Sequence, residues 1–166
     1  MNYVNKPKLT NKNVKGLRDI SARRASTIAL MIDEARKRGL DESFARNAIY
    51  QYGKAIGSAL FARVDNPDDM IEFAKYFGTD HNHDIYEMET VTSDESRLEI
   101  DFHFCPYVEQ WIKMGYSPED IELLCDIAMD GDRAIGDCFP KIEFMLGKTI
   151  AQGYPVCQIR FIKTMT

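Results

Sequence analysis

The chain has 166 residues, of which 45% are apolar and 28% charged. That length suits one domain able to bury a core without disulfide or metal staples. Lys and Arg number 21 against 26 Asp and Glu, a net charge of −5. This acidity argues against a nucleic-acid or anionic-membrane partner, each of which needs a basic face.

Residues 1–15 read as a flexible N-terminal arm, and residues 16–166 as a single domain. The arm is polar and basic, without the apolar stretch of a secretory leader. No apolar run reaches the roughly 18 residues of a membrane span. A cytoplasmic protein with reduced cysteines is expected. Leu17–Arg38 reads as a helix closed by Gly39, with Ile28, Met31, Ile32 and Ala35 at helical spacing and Arg24 interrupting the stripe. Asp41 caps a second helix reaching Val64, and Asn66-Pro67 opens a third that ends at Gly78. Thr79–Asp84 reads as a polar loop.

After Gly78 the pattern alternates. Residues 84–91 and 97–104 read as strands joined at Ser93-Asp94-Glu95. Leu98, Ile100, Phe102 and Phe104 point one way; Glu99, Asp101 and His103 point the other. Pro106 opens a short helix to Met114. Ser117 caps another, with Ile121, Leu124, Cys125 and Ala128 as its apolar stripe, ending in the acidic turn Asp130-Gly131-Asp132. Ile142–Leu146 and Cys157–Phe161 form a last hairpin. Hairpin strands are antiparallel, so the chain reads as α+β: N-terminal helices packed on a four-stranded antiparallel sheet, made of two hairpins separated by a helical pair.

All four cysteines (Cys105, Cys125, Cys138 and Cys157) fall in the later part of the chain, without a CxxC pair. A zinc ribbon and a thioredoxin-type pair therefore lose support. Cys105 stands where a strand feeds a helix start, whose free amides and dipole favour a thiolate. His103 is placed to move a proton for it, and Asp101 to orient the imidazole. The same amides could instead bind a carboxylate, or Cys105 could be only a cap. Cys125 and Cys157 lie on apolar stripes; Cys138 is undecided. Tyr107 and Trp111 could wall a pocket or simply fill the core. Asp132 lies near a helix end, where the dipole gives a carboxylate little reward, which mildly favours a functional role or an ion pair with Arg133 or Arg160. His81-Asn82-His83-Asp84 resembles a fragment of a metal site, but no second cluster completes it, so no metal or cofactor is expected.

Cys105-Pro106 followed by Trp111, the Leu124-Cys125 helix, Asp132, the Phe139-Pro140 strand start and the Gly153-x-x-x-Cys157 hairpin together resemble the L-2-amino-thiazoline-4-carboxylic acid hydrolase family. The chain ending is also similar to vinyl-reductase-type ligand-binding domains. The resemblance implies a small-molecule C–N hydrolase that opens a carboxylated thiazoline ring to N-carbamoyl-L-cysteine. On that footing Cys105, His103 and Asp132 are the catalytic candidates. Trp111, Tyr107, Cys125, Cys157 and Asp101 are the binding candidates, and a small carboxylated molecule is the expected partner. The alternatives are a non-catalytic small-ligand-binding or sensor domain, and an interaction module forming a homodimer through the 17–38 helix.

Overall fold

A computed structural model describes residues 2–78 and 81–164. The first helix, α1, spans Lys12–Lys37. It starts earlier than Leu17 because the Asn11 side chain accepts a hydrogen bond from the Val14 amide at 3.0 Å and caps the chain there. Residues 2–11 stay outside it, held at two places. The Asn5 amide both donates to the Cys105 carbonyl (2.9 Å) and accepts from the Cys105 N–H (2.8 Å). The Lys8 and Leu9 amides donate to Glu87 Oε1, each at 2.7 Å.

Helix α2 covers Ser43–Phe61 and α3 covers Met70–Tyr76. The third helix begins later than Asn66-Pro67. Asn66 closes a local turn by accepting from the Asp68 amide, and Asp69 caps instead, accepting from the Ile71 and Glu72 amides. Residues 82–84 differ from the expected loop: a short helix, α4, runs over Asn82–Tyr86, while Thr79 and Asp80 lie outside the described residues. Glu87 follows with φ +50, a left-handed conformation. That break delays β1 to Met88–Ser93.

Strand β2 is Arg97–Phe102. Next come α5 (Pro106–Lys113) and α6 (Pro118–Ala128), the latter capped by Ser117, which accepts from the Asp120 amide. A further helix, α7, follows over Asp130–Gly136, where the acidic turn was expected. Strand β3 is Ile142–Leu146, and β4 is Cys157–Lys163. A 3-10 turn over Ile150–Gln152 lies between them, closed by Gly153 at φ +87. Such a φ is open to glycine and strained for side-chain-bearing residues.

The sheet is fully antiparallel, in the order β1-β2-β4-β3. Its two hairpins join where β2 meets β4. Leu98 faces Phe161, Ile100 faces Ile159 and Phe102 faces Cys157, so apolar pairs set the register on the inner face. The intervening residues Glu99, Asp101 and Arg160 stand on the outer face. One buried cluster gathers α1, α5 and α6 around Trp111, whose indole N–H donates to the Ala25 carbonyl at 3.0 Å. The other gathers Phe73, Phe139 and Phe161 over the sheet. Phe102 packs against both. Among the described residues no helix is long and apolar enough to cross a membrane.

Candidate functional site

Between the two clusters lies a cavity of about 240 Å³. Its floor is the inner face of β2 and β4, its walls are the helices, and its wall is mostly apolar. Six of the eight residues singled out in the sequence line it: Cys105, Tyr107, Trp111, Cys125, Asp132 and Cys157. They come from four elements, α5 with its N-cap Cys105, α6, α7 and β4, which is what a site built at a helix–sheet interface requires.

His103 and Asp101 lie elsewhere. The strand alternation places both on the outer face, while Phe102 between them enters the cavity. There the His103 ring Nε2 meets Glu89 Oε2 at 2.7 Å, and Asp101 accepts from Arg160 at 2.6 Å. The expected shared face of His103 and Cys105 required the strand to continue. It ends at Phe102, and the turn into α5 carries Cys105 inward.

The Cys105 thiol is raised to about 11. Burial is the main cause, and it outweighs the Tyr107 and Val108 amides, which pull in the opposite direction. The expected helix-start thiolate is therefore a neutral thiol. Desolvation also raises Cys125 and Cys157. Cys157 accepts from the Ile150 amide at 3.2 Å. Three protonated sulfurs thus line one cavity. Cys138 is not among the lining residues; its thiol donates to the Ala134 carbonyl at 3.3 Å.

Asp132 is the acid of the cavity. Burial raises its carboxyl to about 6, against the pull of Arg133 and Arg24 and of its own backbone amide. It sits in the first turn of α7, the end of a helix that favours a carboxylate, and not at the tail of α6 as its sequence context suggests. Its neighbour Asp130 is bonded to Arg46 (3.0 Å) and Arg133 (2.6 Å), which leaves Asp132 as the carboxylate facing the cavity. Tyr107 is raised by burial to about 12 and remains a neutral donor. Tyr86 is likewise raised by burial.

Helix α1 contributes a residue that the sequence did not assign to the site. Arg24 lines the cavity, with its guanidinium carbon 4.6 Å from the centre of the Tyr52 ring. The available signal was its interruption of an apolar stripe. Thr149 and Tyr86 also line the cavity, from segments whose sequence carries no such mark. Among the described residues, no group of three or more His, Cys, Asp or Glu side chains is arranged to hold a metal. His83, within the suspected metal fragment, faces its neighbour Asp84 at 3.4 Å.

The fold is similar to that of a trafficking protein particle complex subunit 3 from Naegleria fowleri, solved covalently bound to palmitic acid. The two share 13% sequence identity, and the match covers 89% of this chain and 97% of the other, with a TM-score of 0.58. At that identity the likeness concerns fold alone. Among curated proteins none matches the sequence. The sequence model of one family, L-2-amino-thiazoline-4-carboxylic acid hydrolase, matches residues 19–161. This span runs from α1 through β4 and includes every wall of the cavity, and on it the chain belongs to the L-2-amino-thiazoline-4-carboxylic acid hydrolase family.

Proposed function

We propose that the protein hydrolyses a small carboxylated cyclic amidine of the 2-amino-thiazoline type. The supporting observation is Asp132, an acid raised to about 6 in the wall of a small apolar cavity. A carboxyl with that value is mostly ionised at neutral pH yet basic enough to take a proton from attacking water. Family membership names the substrate type, and a volume of about 240 Å³ lies below the roughly 300–1,000 Å³ common for drug-sized ligands.

The chemistry balances with water alone. Water oxygen bonds to the amidine carbon as Asp132 takes one proton and passes it to the nitrogen that receives the C=N electron pair. The tetrahedral adduct then collapses to C=O, its hydroxyl proton passing through Asp132 to the leaving ring atom. Loss of the ring C–S bond gives N-carbamoyl-L-cysteine; loss of the ring C–N bond gives its S-carbamoyl isomer. Trp111 and Tyr107, whose rings meet edge to face at 5.7 Å, would wall the ring, with the three sulfurs opposite its apolar edge. Cys105 is a neutral thiol, so direct water attack is favoured over a thioester-type intermediate. Attack by Cys105 would first require its proton to pass to Asp132 or to a ring nitrogen. With His103 on the outer face, proton transfer falls to Asp132.

Turnover of L-2-amino-2-thiazoline-4-carboxylate in ¹⁸O-water tests this directly. The expected result is one heavy oxygen in the carbamoyl group, and a fall of about 10²–10⁴-fold for Asp132→Asn. No turnover by the intact protein, or full turnover by the Asn variant, overturns it. A second reading, a non-catalytic ligand-binding domain, is favoured by the apolar wall and by the palmitate carried by the trafficking subunit of similar fold. Recovery of a tightly held acyl ligand from the purified protein, with no turnover, supports that reading.

A further inference from the structure

We infer that Arg24 is the carboxylate-recognising residue of the cavity and sets its preference for acidic over neutral ligands. This rests on the reading of the cavity as a site for a small carboxylated ring, and it names the contact that would confer that class.

Three observations carry it. First, Arg24 is the cation among the cavity-lining residues, and the other charged lining residue is Asp132. Second, Arg24 pairs with no carboxylate among the described residues. Arg18, Arg36, Arg46, Arg133 and Arg160 each pair with a carboxylate; Arg23 and Arg63 also have no ion pair among the described residues but do not line the cavity, so Arg24 is distinguished by being unpaired at this position. In an acidic protein, an arginine held at a cavity mouth without an acid partner has its charge available to a ligand. Third, its contact is the face of the Tyr52 ring at 4.6 Å. A cation–π contact engages the guanidinium charge without using its N–H groups as hydrogen-bond donors to an acid, so the planar fork that matches a carboxylate stays available. Tyr52 thereby fixes the position of the charge without satisfying its donors.

Arg24 is exposed, but it is not remote from the site: it stands in the middle of α1, on the stripe that turns toward the cavity. Nearby Ala25 and Ala29 are fully buried and Ile28 lines the same wall, so the side chain leaves the helix at the edge of the packed face. An ammonium there would be a point charge without the fork, so Arg24→Lys should fall between the native residue and a neutral one.

The test uses binding, not turnover. Trp111 is the single tryptophan and lines the cavity, so its fluorescence reports occupancy. Titration with L-2-amino-2-thiazoline-4-carboxylate and with its uncharged carboxamide gives a preference ratio for each protein. The native chain is expected to favour the acid by about tenfold to a hundredfold, the gain of a charge-assisted bidentate contact. Arg24→Met should bring the ratio close to one by weakening acid binding more than amide binding, and Arg24→Glu should invert it. Circular dichroism checks that each variant is folded; because Arg24 is exposed, the Met change leaves the packed face of α1 in place. A native ratio near one, or a ratio that survives Arg24→Met, overturns the assignment. Binding through Arg24 without hydrolysis would end the hydrolase reading and leave this one standing. Hydrolysis with an unchanged ratio in Arg24→Met would do the reverse.

Discussion

Asp132 is ionised in the unfolded chain above about pH 4, whereas in the fold its carboxyl is raised to about 6. Between those values the folded state binds more protons than the unfolded one, so this residue lowers stability as pH rises through the window. Above it, the cost is roughly 3 kcal/mol. Other carboxylates, such as Asp120 beside Arg36 and Asp126 beside Arg46 and Arg133, are held below their ordinary values and act in the opposite sense. A comparison of native protein and Asp132→Asn isolates the effect. Urea unfolding at about pH 4.5 and about pH 7.5 should show the Asn variant gaining on the native protein at the higher pH; a difference independent of pH would contradict the assigned burial. Cys105 gives a second prediction at this scale. With its thiol near 11, alkylation by iodoacetamide at neutral pH should be far slower in the folded protein than in urea, as followed by peptide mass spectrometry. The sequence singled out Cys105 because it opens a helix, Asp132 because it stands near a helix end, and Trp111 because it is an aromatic close behind Cys105 in the pattern of the family it resembles. It misjudged the protonation of Cys105, because helix-start amides are visible in a sequence and desolvation by distant residues is not. Arg24 left only a break in a stripe.

At the level of elements, α2 and α7 meet backbone to backbone. A Cβ at Gly53 would fall on the Gly131 carbonyl oxygen and within 2.7 Å of the Gly131 Cα, and one at Gly57 would come within 2.9 Å of the Ile135 Cα. Gly53→Ala should therefore push α7 away at a cost of at least about 2 kcal/mol. It should also weaken turnover, because Asp132 adjoins the displaced residue; urea midpoints and kcat measured together check both effects. The arm and α4 are tied to α1 by Arg18. Its guanidinium, nearly buried, donates to the Leu9, Asp84 and Ile85 carbonyls and pairs with Glu87 at 3.0 Å. Arg18→Met strands a buried Glu87 carboxylate, and a loss of about 3–5 kcal/mol is expected in the same unfolding assay. The long helices and both hairpins were legible from spacing and caps. Helix α7 was not, because Asp130-Gly131-Asp132 has the composition of a turn. That glycine serves the close approach of α2, a tertiary demand that overrides local propensity. Helix α4 was hidden in the same way, within a run of polar residues.

For the molecule as a whole, Phe102 packs against both buried clusters, so they should unfold together. Trp111 fluorescence and far-UV circular dichroism are expected to give one coincident urea transition; two separated transitions would show the clusters to be independent. Local pattern yielded the hairpins, and with them the α+β class, but not the central pairing of β2 with β4. No local signal states which hairpin edge meets which; the inner-face pairs Leu98–Phe161 and Ile100–Ile159 decide it only once the chain has closed. That pairing has a consequence for the newly made protein. Synthesis proceeds from the N-terminus at about 5–20 residues per second, so α1 and α2 leave the ribosome well before the strand that completes the sheet. Cys157 and Ile159 of that strand line the cavity, so ligand cannot rescue a nascent chain that lacks it. Until then the apolar faces of the helices wait uncovered, and the interval before that strand arrives is when the growing chain exposes most apolar surface to aggregation.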